Sequence, residues 1–163
     1  MSDLAFFEDF AAGQAFAFGS HALSAGSIAG YRAAYDPAAD KAAETTASPW
    51  QLCSLLMRMN YEGWMIRTAA RGAPGVDEIR WHRPVAAGEV LGVRVRVLDT
   101  RLSNSRPELG FVRFEHVVEG AGGTPVLTQT NSVMMARRGP EAARPPRTTA
   151  AAPGPAHEPV GET

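Results

Sequence analysis

The sequence predicts an α+β domain in which a curved antiparallel sheet of long strands wraps around one long helix. One observation is a strongly apolar helical segment that begins near residue 48. A second is that nearly all of the chain from Pro74 to Arg137 alternates as strands joined by short turns. Because no helices separate these strands, the pattern excludes a nucleotide-binding α/β fold, in which strands and helices alternate.

Composition limits the partners and sites that this chain is expected to have. It holds 163 residues with 16 Lys+Arg and 17 Asp+Glu, so the net charge of -1 offers no basic surplus for nucleic acid. The single cysteine, Cys53, excludes an internal disulfide and a cysteine-based metal cluster. The acidic start and the lack of a long apolar run predict a cytoplasmic protein with neither a signal peptide nor a membrane span.

The composition divides the chain at Gly139. Residues 1–138 carry the periodic apolar patterns of one folded domain. Residues 139–163 are rich in Pro and Ala and contain few large aliphatic side chains. Such a segment cannot bury enough apolar surface to offset the entropy of ordering it. We therefore predict a disordered tail, with an extension docked on the domain as the alternative.

Three elements are predicted before the long helix. Residues 13–23 alternate loosely and predict a first strand. Residues 24–35 predict a short helix, although Gly26 and Gly30 weaken it. Residues 36–46 are small and predict a loop.

The long helix is predicted to begin at Ser48-Pro49, a good N-cap followed by a residue suited to the first turn. Apolar residues at i, i+3, i+4 spacing form one stripe. The stripe consists of Leu52, Leu55, Leu56, Met59, Gly63 and Ile66. The opposite side is also apolar, with Met57, Tyr61 and Trp64. A helix that is apolar nearly all round is predicted to be buried, and the Arg-Gly and Pro-Gly pairs of residues 71–75 are predicted to end it.

Four strands are predicted after the helix, at residues 76–85, 89–100, 111–119 and 124–137. The second alternates valines with Arg94 and Arg96, and the third alternates apolar side chains and His116 with charged residues. Gly88-Glu89, SNSRPELG and GAGG are the turn signals between the strands.

Five stretches carry a family resemblance across residues 5–138. They are FFEDFAAGQ, YDPAAD, SLLMRM, PGVDEIRWHRPVAAGEVL and RLSNSRPELGFVRFEHVV. The most specific are W-x-R-P-V-x-x-G-E at residues 81–89 and S-x-S-R-P at residues 103–107. Together they resemble the MaoC-like dehydratases, which include the R-specific enoyl-CoA hydratases. The resemblance implies the hotdog fold, in which the sheet wraps around a long central helix.

The resemblance also implies a chemistry, the reversible addition of water across the double bond of a trans-2-enoyl thioester. In the family, an Asp and a His five residues later act as general base and acid on that water. Backbone N–H groups at the start of the central helix stabilise the enolate-like thioester oxygen. Here Asp36-Pro37 matches the start of the motif, but Lys41 occupies the position of the His. The stretch between Asp36 and Trp50 is also shorter than in the family.

Six residues are the candidate site. Asp36 is the candidate catalytic base, with an ordinary turn residue as the alternative. Trp50 and Gln51 are expected to line the thioester end of a pocket, unless Trp50 only packs at the helix start. The others, on the resemblance, would meet the phosphates of CoA, with a rigid hairpin cap as the alternative. These are Ser103, Ser105 and Arg106.

The other chemistry-bearing residues predict no further site. Lys41 could act as an acid in place of His, but a solvated loop lysine is the alternative. The four histidines lack metal-ligand spacing, so no metal and no cofactor are expected. His116 and Cys53 are interpreted as core residues, the histidine with its hydrogen bonds satisfied.

The sequence therefore predicts a MaoC-like protein that binds an acyl thioester, carried by CoA or an acyl carrier protein, and cannot hydrate it alone. It would be the structural or binding half of a homodimer or of a heterodimer with another hotdog chain, because a lone hotdog exposes a strand edge and part of its helix. Three alternatives stay open. They are an active hydratase or dehydratase that uses Asp36, a divergent thioesterase, and a regulatory or scaffold module without a ligand.

Overall fold

A six-stranded antiparallel sheet curls around one long helix in the computed structural model, which describes residues 4–36 and 45–139. The predicted fold class, an α+β hotdog, is confirmed. Two expectations fall on residues outside the described ranges and stay predictions. They are the disordered tail, from residue 140 onwards, and any role for Lys41 in the segment 37–44.

The elements follow one another in the predicted order. They are β1 (Ala15–Ala22), α1 (Ala25–Tyr35), α2 (Pro49–Gly63), β2 (Ala70–Gly72), β3 (Glu78–Trp81), β4 (Val90–Leu102), β5 (Leu109–Glu119) and β6 (Pro125–Ala136). The sheet order is β1-β4-β5-β6-β2, and β3 also pairs with β6. Within the described ranges, no helix has the length and apolar content needed to cross a membrane.

Strand alternation produces the core, as the sequence predicts. Val93, Val95 and Val97 of β4 point inward and are at most 2% exposed. Arg94 and Arg96, between them, point outward and pair with Glu119 and Glu115 of β5. Burying each inward valine contributes roughly 1.5–3 kcal/mol relative to leaving it exposed.

The helix α2 packs one face on this core. Ser48 is its N-cap and Pro49 its first residue, as predicted. The buried face consists of Gln51, Leu52, Leu55, Leu56, Met59 and Asn60. The prediction of burial on all sides is wrong for the single chain, because Met57 and Tyr61 are 54% and 53% exposed.

The end of α2 and the following strands also differ from the prediction. The helix ends at Gly63, not near residue 72, because the backbone of Trp64 leaves the helical conformation at φ -151° and ψ -36°. The ring of Phe18 packs on Gly63, 2.2 Å from where an ideal Cβ would lie. Trp64 then leaves the helix and packs against Phe10 and Phe114 in the core. The sequence analysis missed β2, and the strand predicted at residues 76–85 is reduced to β3.

An acidic segment near the amino end is fastened to the end of β6. Residues Phe7–Asp9 form a 3-10 turn. Arg138 donates to both carboxylate oxygens of Asp9, at 2.9 and 2.7 Å, and its backbone N–H donates to Glu8. The backbone N–H of Phe6 and, to a smaller extent, the Arg138 guanidinium lower the pKa of the Asp9 carboxyl below its ordinary value. The segment 4–10 thus belongs to the folded domain.

Candidate functional site

Asp36 lies at the carboxyl end of α1, bound to an arginine. Its Oδ2 accepts a hydrogen bond from Nη1 of Arg32 at 3.1 Å. Arg32 is itself buried and donates from Nε and Nη2 to the carbonyl oxygen of Thr46, at 3.0 and 2.9 Å. One guanidinium therefore bonds a described residue on each side of the segment 37–44, Asp36 before it and Thr46 after it. The carboxylate proposed as a base has an arginine, not a histidine, as its described partner.

Gln51 and Trp50 lie at the start of α2 and point in different directions. Gln51 is 5% exposed, and its Nε2 donates to the carbonyl oxygen and hydroxyl of Ser27 in α1, at 3.1 and 3.2 Å. Its Oε1 is buried without a hydrogen-bond partner among the described residues. Trp50 is 61% exposed and meets Trp81 edge-on, with ring centroids 5.4 Å apart. Gln51 thus ties the two helices together, while Trp50 faces outward.

The three hairpin candidates lie in the β4–β5 turn. The Ser103 hydroxyl accepts from the backbone N–H of Arg106 at 3.2 Å, so it caps the turn. The Arg106 guanidinium pairs with Glu108 at 2.9 Å on the surface. Ser105 is exposed between them. This geometry is that of a rigid hairpin cap with a paired, solvent-exposed arginine.

The two groups of candidates lie at opposite ends of the sheet. Trp81, which contacts Trp50, pairs with Leu127 of β6, and Leu127 pairs with Val118 of β5. The hairpin instead begins beyond Gly110, eight residues away along β5. At 3.3 Å per residue this is about 26 Å. The structure does not bring the hairpin candidates and the helix candidates into one compact site within a chain.

The W-x-R-P-V-x-x-G-E motif has a structural role in this chain. Arg83 donates to both carboxylate oxygens of Glu89, at 3.0 and 2.5 Å, which holds the pKa of that carboxyl below its ordinary value. Gly88 between them adopts φ +82°, a conformation that favours glycine. Trp81 donates from Nε1 to the carbonyl oxygen of Pro49 at 3.0 Å. The motif therefore closes the turn before β4 and fixes the start of α2 to β3.

A small cavity between α2 and the sheet, mostly apolar but with several polar side chains, was missed by the sequence analysis. It has a volume of about 150 Å³, and its polar lining comes from three elements. These residues are Asn60, His116, Gln129 and Asn131, with Trp64 beside them. No periodicity or motif indicates this grouping, because each polar side chain is isolated in the sequence.

His116 is the most unusual residue of this cavity. It is 1% exposed, and burial lowers its pKa to about 4, against the opposing effect of a hydrogen bond with Asn131. Its Nδ1 has no hydrogen-bond partner among the described residues. The expectation of a satisfied core histidine is therefore corrected. His116 is in the core, but one ring nitrogen is unpaired.

The described residues indicate neither a metal-binding site nor a reactive thiol. Residues 4–36 and 45–139 contain no group of three His, Cys, Asp or Glu that could hold a metal ion. Burial raises the pKa of the Cys53 thiol, which keeps it protonated and weakly nucleophilic at neutral pH.

Known proteins share this fold and part of this sequence. No protein-family model matches the sequence. A MaoC-like dehydratase from Rhodospirillum rubrum is 27% identical and superposes with a TM-score of 0.73, over 82% of this chain and 98% of that one. The chain has the hotdog fold of the MaoC-like dehydratases. An R-hydratase from Pseudomonas aeruginosa shares the fold at 17% identity, with a TM-score of 0.62 over 82% of this chain and 87% of that one.

Two longer proteins match this chain over part of their length. The mesaconyl-CoA hydratase of Haloarcula marismortui is 38% identical over 71 residues, which are 42% of this chain and 19% of that protein. The MaoC-like chain thus matches about a fifth of the length of this curated relative. A Mycobacterium tuberculosis protein described as a double hotdog is 22% identical, with a TM-score of 0.68 over 96% of this chain and 53% of that one.

Proposed function

We propose that this MaoC-like chain is a cytoplasmic protein that binds an acyl thioester, carried by CoA or an acyl carrier protein, and does not hydrate it alone. It acts as the structural or binding half beside a second hotdog chain that carries an intact Asp/His pair. The partner supplies the acid–base chemistry, because hydration requires both removal of a proton from water and delivery of a proton to carbon.

The observation that carries this proposal is the environment of Asp36. Its carboxylate oxygen is bound to Arg32, and Arg32 is held in turn by Thr46. A base that is to activate water needs a lone pair directed at that water. The sequence adds that the residue five positions on is Lys41 rather than His.

An exposed apolar stripe on α2 supports the pairing with a second hotdog. Trp50, Met57 and Tyr61 are spaced so that they share one helix face, and all three are more than half exposed. Trp81 extends this surface, which we call the α2 stripe, onto β3. No described strand pairs with the outer edge of β3. The double-hotdog relative, of which this chain matches about half, suggests the occupant, a second hotdog unit.

The first prediction concerns activity and binding of the purified full-length chain. We expect butyryl-CoA to bind in isothermal titration calorimetry and crotonyl-CoA to keep its enoyl absorbance in the presence of the chain. Asp36→Asn serves as the test variant. Asp77→Asn is its matched control, because Asp77 is equally exposed and pairs with Arg113 at 3.3 Å.

Three results would overturn parts of the proposal. Turnover of crotonyl-CoA that is lost in Asp36→Asn but kept in Asp77→Asn would show an active hydratase. Release of a free thiol from either thioester would show a thioesterase. Absence of binding to both thioesters would favour a scaffold module without this ligand.

A further inference from the structure

The cavity between α2 and the sheet is open at one side and closed by polar residues at its floor. Met57 and Gly72, at its rim, are exposed, whereas Asn60, His116 and Asn131 are buried. A ligand entering past Met57 would therefore meet these three side chains last.

The hydrogen bonds already made leave one acceptor free at the floor. The imidazole of His116 is hydrogen-bonded to Asn131, and we assign the ring as the donor because Oδ1 of Asn131 also accepts from Gln129. Because Nδ1 is the unpartnered nitrogen, the donor is Nε2–H. In the neutral ring, Nδ1 then carries a lone pair. An unpaired acceptor buried in this way costs about 1–3 kcal/mol unless a ligand or water donates to it.

The amides around the ring are held by other hydrogen bonds. Trp64 donates from Nε1 to Oδ1 of Asn60 at 3.2 Å, and Gln129 donates from Nε2 to Oδ1 of Asn131 at 3.3 Å. Each of these amide oxygens already accepts a hydrogen bond, and the NH₂ groups of Asn60 and Asn131 can donate to a ligand. The floor offers an acceptor and donors together, which matches a hydroxyl group.

Charge and size restrict the ligand further. None of the described residues that line the cavity carries a charge at neutral pH. A carboxylate placed there would lose its hydration without a cation to compensate, and it would face the lone pair of Nδ1. The volume of about 150 Å³ corresponds to about five water molecules at about 30 Å³ each. That is room for a short acyl chain.

We propose that this cavity is an acyl subsite that selects a short chain ending in an uncharged hydrogen-bond donor, a hydroxyl group, over a plain hydrocarbon or a carboxylate. The inference rests on the proposed binding of an acyl thioester and adds its substrate class. His116 is the residue that determines specificity, and Asn60 and Asn131 assist it.

The second prediction compares three trans-2-enoyl thioesters that differ at their far end. Crotonyl-CoA, 4-hydroxycrotonyl-CoA and fumaryl-CoA end in a methyl, a hydroxymethyl and a carboxylate group. In isothermal titration calorimetry with the full chain, we expect 4-hydroxycrotonyl-CoA to bind about tenfold more tightly than crotonyl-CoA, from one hydrogen bond to a buried, unpaired acceptor. Fumaryl-CoA is expected to bind most weakly.

His116→Phe removes Nδ1 and keeps an aromatic ring beside Trp64. We expect it to abolish the preference for 4-hydroxycrotonyl-CoA over crotonyl-CoA, and this ratio is the readout because the variant also loses the hydrogen bond with Asn131. His82→Phe is the matched control, because His82 is exposed and bonds Thr128 outside the cavity.

A second measurement does not depend on the variant folding. In the wild-type chain labelled with ¹⁵N-histidine, the Nδ1 resonance of His116 should move upfield when 4-hydroxycrotonyl-CoA binds and stay in place with crotonyl-CoA. Equal affinity for crotonyl-CoA and 4-hydroxycrotonyl-CoA, or tightest binding of fumaryl-CoA, overturns this inference alone. If none of the three binds, the proposed function is overturned with it.

Discussion

His116 is a neutral imidazole whose protonation is coupled to folding. Its ordinary pKa is 6.5, and burial lowers this value to about 4 in the folded chain. The groups that face it are uncharged amides and the Trp64 ring, so no neighbouring acid offsets the effect. As the pH falls, the unfolded chain takes up the proton first. The stability that the neutral His116 contributes is therefore fully present above pH 6.5, and it is lost progressively as the pH falls to about 4.

The third prediction is the size of this loss. Between pH 7 and pH 5, the free energy of unfolding should fall by roughly 2 kcal/mol through His116 alone. Urea unfolding at the two pH values measures it. The carboxylates paired with arginine, such as Asp9 and Glu89, have lowered pKa values and contribute only at lower pH.

His116→Phe should remove most of this pH dependence, and His82→Phe should keep it. An equally steep dependence in His116→Phe and in the wild type would show that His116 is not buried in its neutral form.

At the scale of elements, close contacts at glycines determine how neighbouring segments pack on the sheet. Gly110, at the start of β5, lies against the ring of Phe7, which would be 2.2 Å from an ideal Cβ. Phe7 belongs to the 3-10 turn that Arg138 fastens to the end of β6. The absence of a side chain at residue 110 therefore lets the segment 4–10 lie on the sheet.

The fourth prediction tests this contact. Gly110→Ala should displace Phe7 and lower the free energy of unfolding by about 1–3 kcal/mol, as overpacking does. Gly30→Ala in α1 is the control, because a Cβ there meets no atom within 4 Å. It should raise the stability by roughly 0.5–1 kcal/mol, since alanine is the better helix former. Urea unfolding compares the two, and destabilisation by Gly30→Ala or neutrality of Gly110→Ala would contradict the packing.

Elements were predictable where the local pattern is strong. β4 and β5 alternate over their whole length, and Ser48-Pro49 marks the start of α2, so these features follow from neighbouring residues. The end of α2 was not predictable, because Ile66 continues the apolar spacing, whereas Trp64 leaves the helix to pack against Phe10 and Phe114 in the core. β2 has only three residues and shows no period.

The candidate site was less predictable than the fold. Asp36 and Gln51 were identified by their positions in the motif, but the motif does not indicate their hydrogen-bond partners. The bond between Gln51 and Ser27 joins residues far apart in the sequence, and the bond between Asp36 and Arg32 depends on the last turn of α1. The cavity combines Asn60 from α2, His116 from β5 and Asn131 from β6. Only the curling of the sheet around the helix brings them together, so no single segment indicates the cavity.

The molecule as a whole leaves the α2 stripe exposed. The sheet covers one face of α2, and the opposite face presents Trp50, Met57 and Tyr61. A contiguous apolar surface of this kind usually marks an interaction site. Met57 also lies at the rim of the cavity, so a second hotdog on the stripe would border the entrance to the acyl subsite.

The fifth prediction is that the purified chain forms a dimer, twice its 17.4 kDa, through the α2 stripe. Tyr61→Glu introduces a charge into the stripe and should shift the dimer to monomer in multi-angle light scattering, because burying an unpaired carboxylate is unfavourable. Tyr35→Glu is the matched control, since Tyr35 is also exposed but contacts Tyr31 at the end of α1, with the ring centroids 4.9 Å apart. A dimer that survives Tyr61→Glu, or dissociates equally in both variants, would show that the stripe is not the interface.

Arg32 contacts residues on both sides of the segment 37–44. Its guanidinium holds Asp36 on one side of the segment 37–44 and Thr46 on the other. Nine residues separate these two contacts along the chain, and the arginine that makes both of them belongs to α1. The two ends of the segment are therefore tied to one buried side chain that lies outside it. Loss of that single side chain would release both ends at once.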